Sequence, residues 1–302
     1  MLRQAREIAL EHDLESLGSI YFNLSDAEFF RDQYEDALGY LEQALALARR
    51  RGTRLGEWAT LAEMTWPLLM LGRWDEALER ASLIPEDRLQ DTTTLSLLES
   101  VALIRIARGD PSEARRILGL YPETSTDVQE RSSVLAARAS VLRAEGRPEE
   151  ALAAALECLD AQAGGSEAAV FSAQHGKQSF QLAVEILIEL GRRDEAAGWI
   201  ARYDSVPQGV RPPFVEAQTH RLRALLDGDA AGLATAAAAF DDLRIPFWAA
   251  VSRLERAELL EAGEEREQLL AAAGVEFERL AAKPWLDRVA AARSAALATV
   301  RA

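Results

Sequence analysis

The chain has a single cysteine, Cys158, in 302 residues. A disulfide framework and a thiolate metal cage within one chain are therefore excluded. Its three histidines, His12, His175 and His220, lie far apart with no metal-ligand spacing among them. Basic side chains are outnumbered, 34 to 49, which leaves a formal net charge of −15. That balance argues against a nucleic-acid surface, where clustered Lys and Arg must meet phosphates. It argues equally against docking on anionic membranes. No window approaches the ~18–20 apolar residues of a membrane span. The first fifteen residues carry charges on nearly every turn and lack an apolar signal region. A soluble chain in the cytoplasm is the expectation.

A catalytic constellation is also missing. There is no Gly-x-x-x-x-Gly-Lys-Ser/Thr phosphate loop. Gly164-Gly165-Ser166 lacks the trailing glycine and preceding strand of a nucleophile elbow. Cys158 falls on a helix-packing position, which reads as a buried, inert thiol. The paired carboxylates Asp75-Glu76 and Glu149-Glu150 sit at helix starts, where they complement the helix dipole. No enzyme activity, no metal and no cofactor are expected.

What the chain does contain is a period. Gly72-Arg73-Trp74-Asp75-Glu76-Ala77 has counterparts at Asp32–Ala37, Gly109–Ala114, Gly146–Ala151 and Gly191–Ala196, with weaker copies at Gly228 and Gly263. The turn positions 32, 72, 109, 146, 191, 228 and 263 are spaced by 40, 37, 37, 45, 37 and 35 residues. Each part of the signature has a physical reason. Glycine ends one helix in the left-handed conformation. Pro111 and Pro148 open the next, where a missing N–H costs nothing. The recurring alanine lets two antiparallel helices approach closely. Apolar residues at helical spacing flank each turn, as in Leu61, Met64, Leu68 and Leu71 before Gly72. A helix pair cannot bury both its apolar stripes alone, so neighbouring pairs must stack. The expected fold is all-α, a right-handed α-solenoid of antiparallel helix pairs.

Leu2-Arg3-Gln4-Ala5 matches Leu41-Glu42-Gln43-Ala44 at a shift of 39, so the chain is expected to open on the second helix of a truncated first repeat. Residues 161–166 account for the one 45-residue spacing and read as a loop or an extended first helix. The expected organisation is repeats over 1–203, a linker or bend over 204–213, rich in chain breakers, and degenerate repeats over 214–302. The last helix, from Pro284, presents Leu286, Val289, Ala290, Leu297 and Val300 and is expected to cap the stack.

The signature, with Tyr34 and Trp74 after the turn and Ala37, Ala77, Ala114, Ala151 and Ala196 behind them, resembles the tetratricopeptide repeat. The period is longer than that family's usual ~34 residues. In this respect the chain is similar to the superhelical repeats of MalT-like and LuxR-type bacterial signal-transduction ATPases and their cyclase-linked relatives. The run from Phe277 to Leu286 resembles the last repeat of those proteins. The resemblance implies a non-catalytic scaffold binding protein, peptide or effector, the sensor or interaction arm of a bacterial signalling or transcription-regulatory protein. It also implies a parent with an ATPase module, whose phosphate loop has no counterpart in these residues. The alternative is a regulatory arm of an ATPase- or nucleotide-cyclase-linked enzyme.

In such a stack the first helices line the concave side and accept a peptide or partner helix. The groove-facing candidates by register are Phe22, Asn23, Asp26, Glu63, Trp66, Glu99, Ser100, Ser133 and Ser140, followed by Gln178, Gln181 and Glu185. Asn23 falls where the tetratricopeptide family often contacts peptide backbone, whereas the basic carboxylate clamp of some of its members is missing. The groove reads as neutral to acidic. The expected partner is therefore a neutral or basic protein or peptide, or a small effector, with no nucleic acid and no membrane; self-association is left open.

Overall fold

The computed structural model describes residues 7, 11, 16–89, 94–121, 127–162 and 167–301. Most of the segment expected to be a truncated first repeat, His12 included, and most of the 161–166 segment lie outside these residues. So do the side chains of Leu297 and Val300 in the last helix.

The described residues form sixteen α-helices and no strand. They run as α1 (Leu17–Phe29), α2 (Tyr34–Arg51), α3 (Arg54–Met70), α4 (Trp74–Ser82), α5 (Ser96–Ala107), α6 (Pro111–Leu118), α7 (Val128–Ala144) and α8 (Pro148–Gln162). The short α9 (Glu167–Ser172) follows, then α10 (Gln174–Glu189), α11 (Arg193–Asp204), α12 (Pro213–Asp227), α13 (Ala230–Asp242), α14 (Pro246–Leu259), α15 (Glu264–Leu280) and α16 (Lys283–Arg301). Each repeated turn of the sequence lies between the two helices of a pair: α1–α2, α3–α4, α5–α6, α7–α8, α10–α11, α12–α13 and α14–α15.

Close approach explains the recurring alanine. Ala37, Ala77, Ala114, Ala151 and Ala196 are all fully buried, one turn into the second helix of their pairs. A larger side chain there would separate the pair. Trp74 is a packing residue: it is buried, and its indole N–H donates to the Leu69 carbonyl at 3.0 Å. Gly72 adopts φ +68, and a Cβ on it would come within 2.8 Å of Pro246. The seventh turn departs from expectation. Gly263 is extended, at φ 175, because α14 has already ended at Leu259 and the chain enters α15 from an open bend. In this part of the chain the left-handed residues are Arg244 and Ala281, in the turns between successive pairs.

Stacking follows the first helices. α3 packs on α5, α5 on α7, α7 on α10 and α10 on α12, giving an inner layer with the second helices outside. One hydrophobic cluster runs from Tyr34 to Ala292. It passes across the 204–213 stretch, which folds tightly. A 3-10 turn spans Gln208–Val210, and Arg211 donates to the carbonyls of Val206 and Asp204 at 2.7 and 2.6 Å.

The array also returns on itself. Arg279 donates to the Gly72 carbonyl at 3.0 Å and Arg108 to the Leu280 carbonyl at 3.1 Å. Phe247 meets Trp74 with ring centroids 5.3 Å apart, and α16 packs on α5. A second closure joins the first turn to the middle of the chain. Asp32 stands where the next five pair turns carry glycine, and it holds φ +56. Its carboxylate is fully buried and accepts from Lys177 Nζ, from the Tyr34 hydroxyl at 2.7 Å and from the Phe214 N–H at 2.8 Å. Phe214 lies in the first turn of α12, where the helix dipole favours a negative charge.

Candidate binding surface

Buried polar side chains are confined almost entirely to the inner layer. Among the described residues, those on helices lie on α1, α3, α5, α7, α10, α12 and α14, apart from Arg266 of α15. The charged groups of the outer helices lie at the surface, as in the Arg131–Glu157 and Arg192–Glu195 pairs. Each buried Ser, Gln, Glu, Lys and Arg of the inner layer must find a partner to offset its desolvation.

Two cavities open on this layer. The first, of about 860 Å³, lies between the end of α1, the middle of α3, the start of α7 and the α9–α10 junction. Asp26 and Glu63 face it, with Trp66 beside them and the exposed apolar side chains Phe30 and Val128 at its edge. Burial pushes the Glu63 carboxyl up to about 7, and the neighbouring Asp26 charge adds to the shift; Ser96 and His175 pull weakly the other way. Burial raises the Asp26 carboxyl as well. Neither carboxylate has a Lys or Arg partner among the described residues. The only lysine lining the cavity, Lys177, is committed to Asp32 and to the Phe29 carbonyl at 3.2 Å. His175 Nδ1 lies 2.7 Å from Glu99 Oε2, which also accepts from Gln174 at 3.2 Å. Asp127 caps α7, accepting from the N–H groups of Gln129 and Glu130 at 2.9 and 3.1 Å.

The second cavity, of about 610 Å³, lies where α3, α5, α7 and α10 face α14 and α16. Under it runs a charged network. Arg221 is buried and bidentate to Glu255 at 2.7 and 2.5 Å, and it also donates to Glu185 at 2.6 Å and to Gln218 at 3.0 Å. Arg143 binds Glu185 and Glu189 from the other side. Burial pushes the Glu185 carboxyl up, but the Arg143 and Arg221 charges outweigh it and hold the group down at about 2.

The twelve residues named from register divide between these places. Asp26, Glu63, Trp66 and Ser133 line the first cavity; Trp66, Ser140, Gln178, Gln181 and Glu185 line the second. Glu99 is fully buried beneath His175, and Ser100 is buried without lining either cavity. Phe22 packs against the core and Asn23 is exposed outside both. These four therefore stand apart from the cavity-lining set. The half-turn offset that buries a residue under its neighbour is smaller than the register of a diverged repeat defines.

Sequence reasoning passed over Asp32, Lys177, Arg221 and Glu255. One signal was available: an aspartate in the place of a turn glycine has no local reason to be there. Cys158 is buried as expected, donates weakly to the Ser132 carbonyl, and has its thiol pushed up to about 11 by burial. A thiol so placed is a poor nucleophile.

No family model matches the chain. A stretch of 65 residues is 40% identical to part of the human G-protein-signaling modulator 1. That stretch is 22% of this chain and covers 10% of the relative's length.

Proposed function

We propose that the chain is a non-catalytic interaction scaffold whose inner face binds a cationic, partly apolar segment of a partner protein. The observation that carries this reading is the carboxylate pair in the first cavity. Glu63 is desolvated, Asp26 stands exposed on the same wall, and neither has a Lys or Arg partner among the described residues, so a guanidinium or ammonium entering the cavity can pair with both. Phe30, Val128 and Trp66 supply apolar surface for the flanking residues. The raised Glu63 carboxyl makes binding pH-dependent: affinity for a cation rises as pH passes through about 7.

Within this reading the fold is a right-handed, tetratricopeptide-like superhelix. The regular spacing of the turns and the stacking of first helices support it. The chain would serve as the sensor or interaction arm of a bacterial cytoplasmic signalling protein, related to the MalT-like and LuxR-type ATPases. The name of the human relative, a modulator of G-protein signalling, is in keeping with an interaction role. The test is isothermal titration with a blocked peptide holding one arginine among leucines, beside the same peptide with neutral citrulline. The arginine peptide should bind more tightly by about tenfold or more at pH 8. Equal affinity for the two peptides would rule out the carboxylate pair as the recognition element.

A further inference from the structure

We infer that the second cavity is a separate binding site for an uncharged, largely aromatic small molecule carrying one hydrogen-bond donor. Its walls are rings: Trp66, Trp74, Phe247, Trp248 and Trp285 converge on a space of about 610 Å³. That volume falls within the ~300–1,000 Å³ of ligand pockets in general. Four of these rings form a contiguous set around Phe247: Trp248 at 5.1 Å and Trp285 at 5.3 Å, both edge to face, and Trp74 at 5.3 Å, centroid to centroid. A flat ligand finds ring faces and edges on several sides, the arrangement aromatic groups prefer.

Charge defines the ligand by exclusion. The ionic side chains around the cavity are already paired: Arg143 with Glu185 and Glu189, and Arg288 with Glu258 at 2.8 and 2.6 Å. A charged ligand would give up its hydration and meet no unpaired counter-charge. Among the fully buried polar side-chain atoms of this lining, one is left without a partner. Gln181 lines the cavity at 2% exposure, and its Nε2 donates to Glu185 at 3.0 Å. That bond fixes the amide orientation, because Glu185 is a carboxylate acceptor, and Gln181 Oε1 is left without a donor. A buried acceptor without a partner costs stability until a donor reaches it.

The site is independent of the carboxylate cavity, with Trp66 the one residue lining both. Because α14 and α16 form one wall and α3, α5, α7 and α10 the other, an occupant bridges the closure of the array and stabilises it.

The test uses N-phenyl-1-naphthylamine, a neutral aromatic amine with one N–H, against its sulfonated anionic analogue 8-anilinonaphthalene-1-sulfonate. Saturable one-to-one binding of the neutral probe is expected, with quenching of tryptophan emission and a raised melting temperature. The anion should bind at least tenfold more weakly. Ala107→Trp, which fills the cavity from a half-buried position on α5, should abolish binding, and Gln181→Met should weaken it roughly tenfold. Glu63→Gln should leave it unchanged, which separates failure here from failure of the peptide reading. Circular dichroism establishes that the variants fold, and if Ala107→Trp does not, Gln181→Met decides. Absence of saturable binding, equal binding of the anion, or binding indifferent to the cavity variants would overturn the inference.

Discussion

Replacing Asp32 by glycine sets the repeat pattern against the three-dimensional structure, and the two predict opposite signs. The next five pair turns carry glycine in the left-handed conformation, and Asp32 holds φ +56. Relief of that backbone strain is worth roughly 1–2 kcal/mol, so the pattern alone predicts a more stable protein. The structure predicts the reverse. Asp32→Gly removes the carboxylate that neutralises Lys177, whose side chain is 3% exposed. Leaving one partner of a buried ion pair uncompensated costs about 3–5 kcal/mol. The Phe214 N–H and the Tyr34 hydroxyl lose their acceptor as well, at about 1 kcal/mol or more each. The net expectation is a loss of about 3–5 kcal/mol. Urea unfolding, followed by tryptophan fluorescence and circular dichroism, measures it. Adding Lys177→Met to the glycine variant removes the stranded charge and should restore part of the loss. A glycine variant as stable as the parent, or more so, would refute the reasoning and make the Asp32–Lys177 contact energetically idle.

Other consequences follow from the same contacts. Glu63 keeps its proton in the folded state up to about pH 7, whereas the free group loses it near 4.5, so the fold binds that proton more tightly than the unfolded chain does. Stability is therefore highest below the free value and falls as pH rises through about 7, by up to about 3 kcal/mol. Glu63→Gln should stabilise at pH 8 and be nearly neutral at pH 4, as read by urea midpoints at both values. Glu185 behaves oppositely: its carboxyl is held down, so its contribution is present above about 4.5 and lost as pH falls toward 2. Arg221→Met strands Glu255 in the interior, leaves Glu185 with Arg143 alone, and should cost about 3–5 kcal/mol at pH 7. A loss below about 1 kcal/mol, the range of surface pairs, would show the network to be dispensable. Removing 283–302 takes away Trp285, which stacks on Phe277, together with one wall of the second cavity, and should lower the melting temperature by several degrees. An unchanged melting temperature would contradict the capping role of α16.

Local physics made the helix pairs legible. A glycine before an acidic first turn, and an alanine behind it, fixed where Gly72, Gly109, Gly146, Gly191 and Gly228 lie and which residues touch inside each pair. The pattern carries only nearest-neighbour information. It does not state how far successive pairs rotate, so it could not bring Arg279 to Gly72 or Lys177 to Asp32. Positions on the candidate surface were legible in the same measure. Register placed Asp26, Glu63 and Trp66 on the inner layer because the helical period is reliable over one or two turns. Glu99 looked equivalent and is buried instead, because α10 brings Gln174 and His175 over it from a pair two steps away. The aromatic wall of the second cavity arises wholly from that return of the chain. Phe247, Trp248 and Trp285 are ordinary packing residues in one dimension.

The claim on which the proposed function rests is that Asp26 and Glu63 together recognise a cation on the inner face. Titrating the arginine peptide into the parent and into Asp26→Asn/Glu63→Gln at pH 8 measures that most directly. The account predicts at least a tenfold weaker Kd for the double variant, with the arginine and citrulline peptides no longer distinguished by it. An unchanged Kd with intact discrimination between the peptides would contradict it.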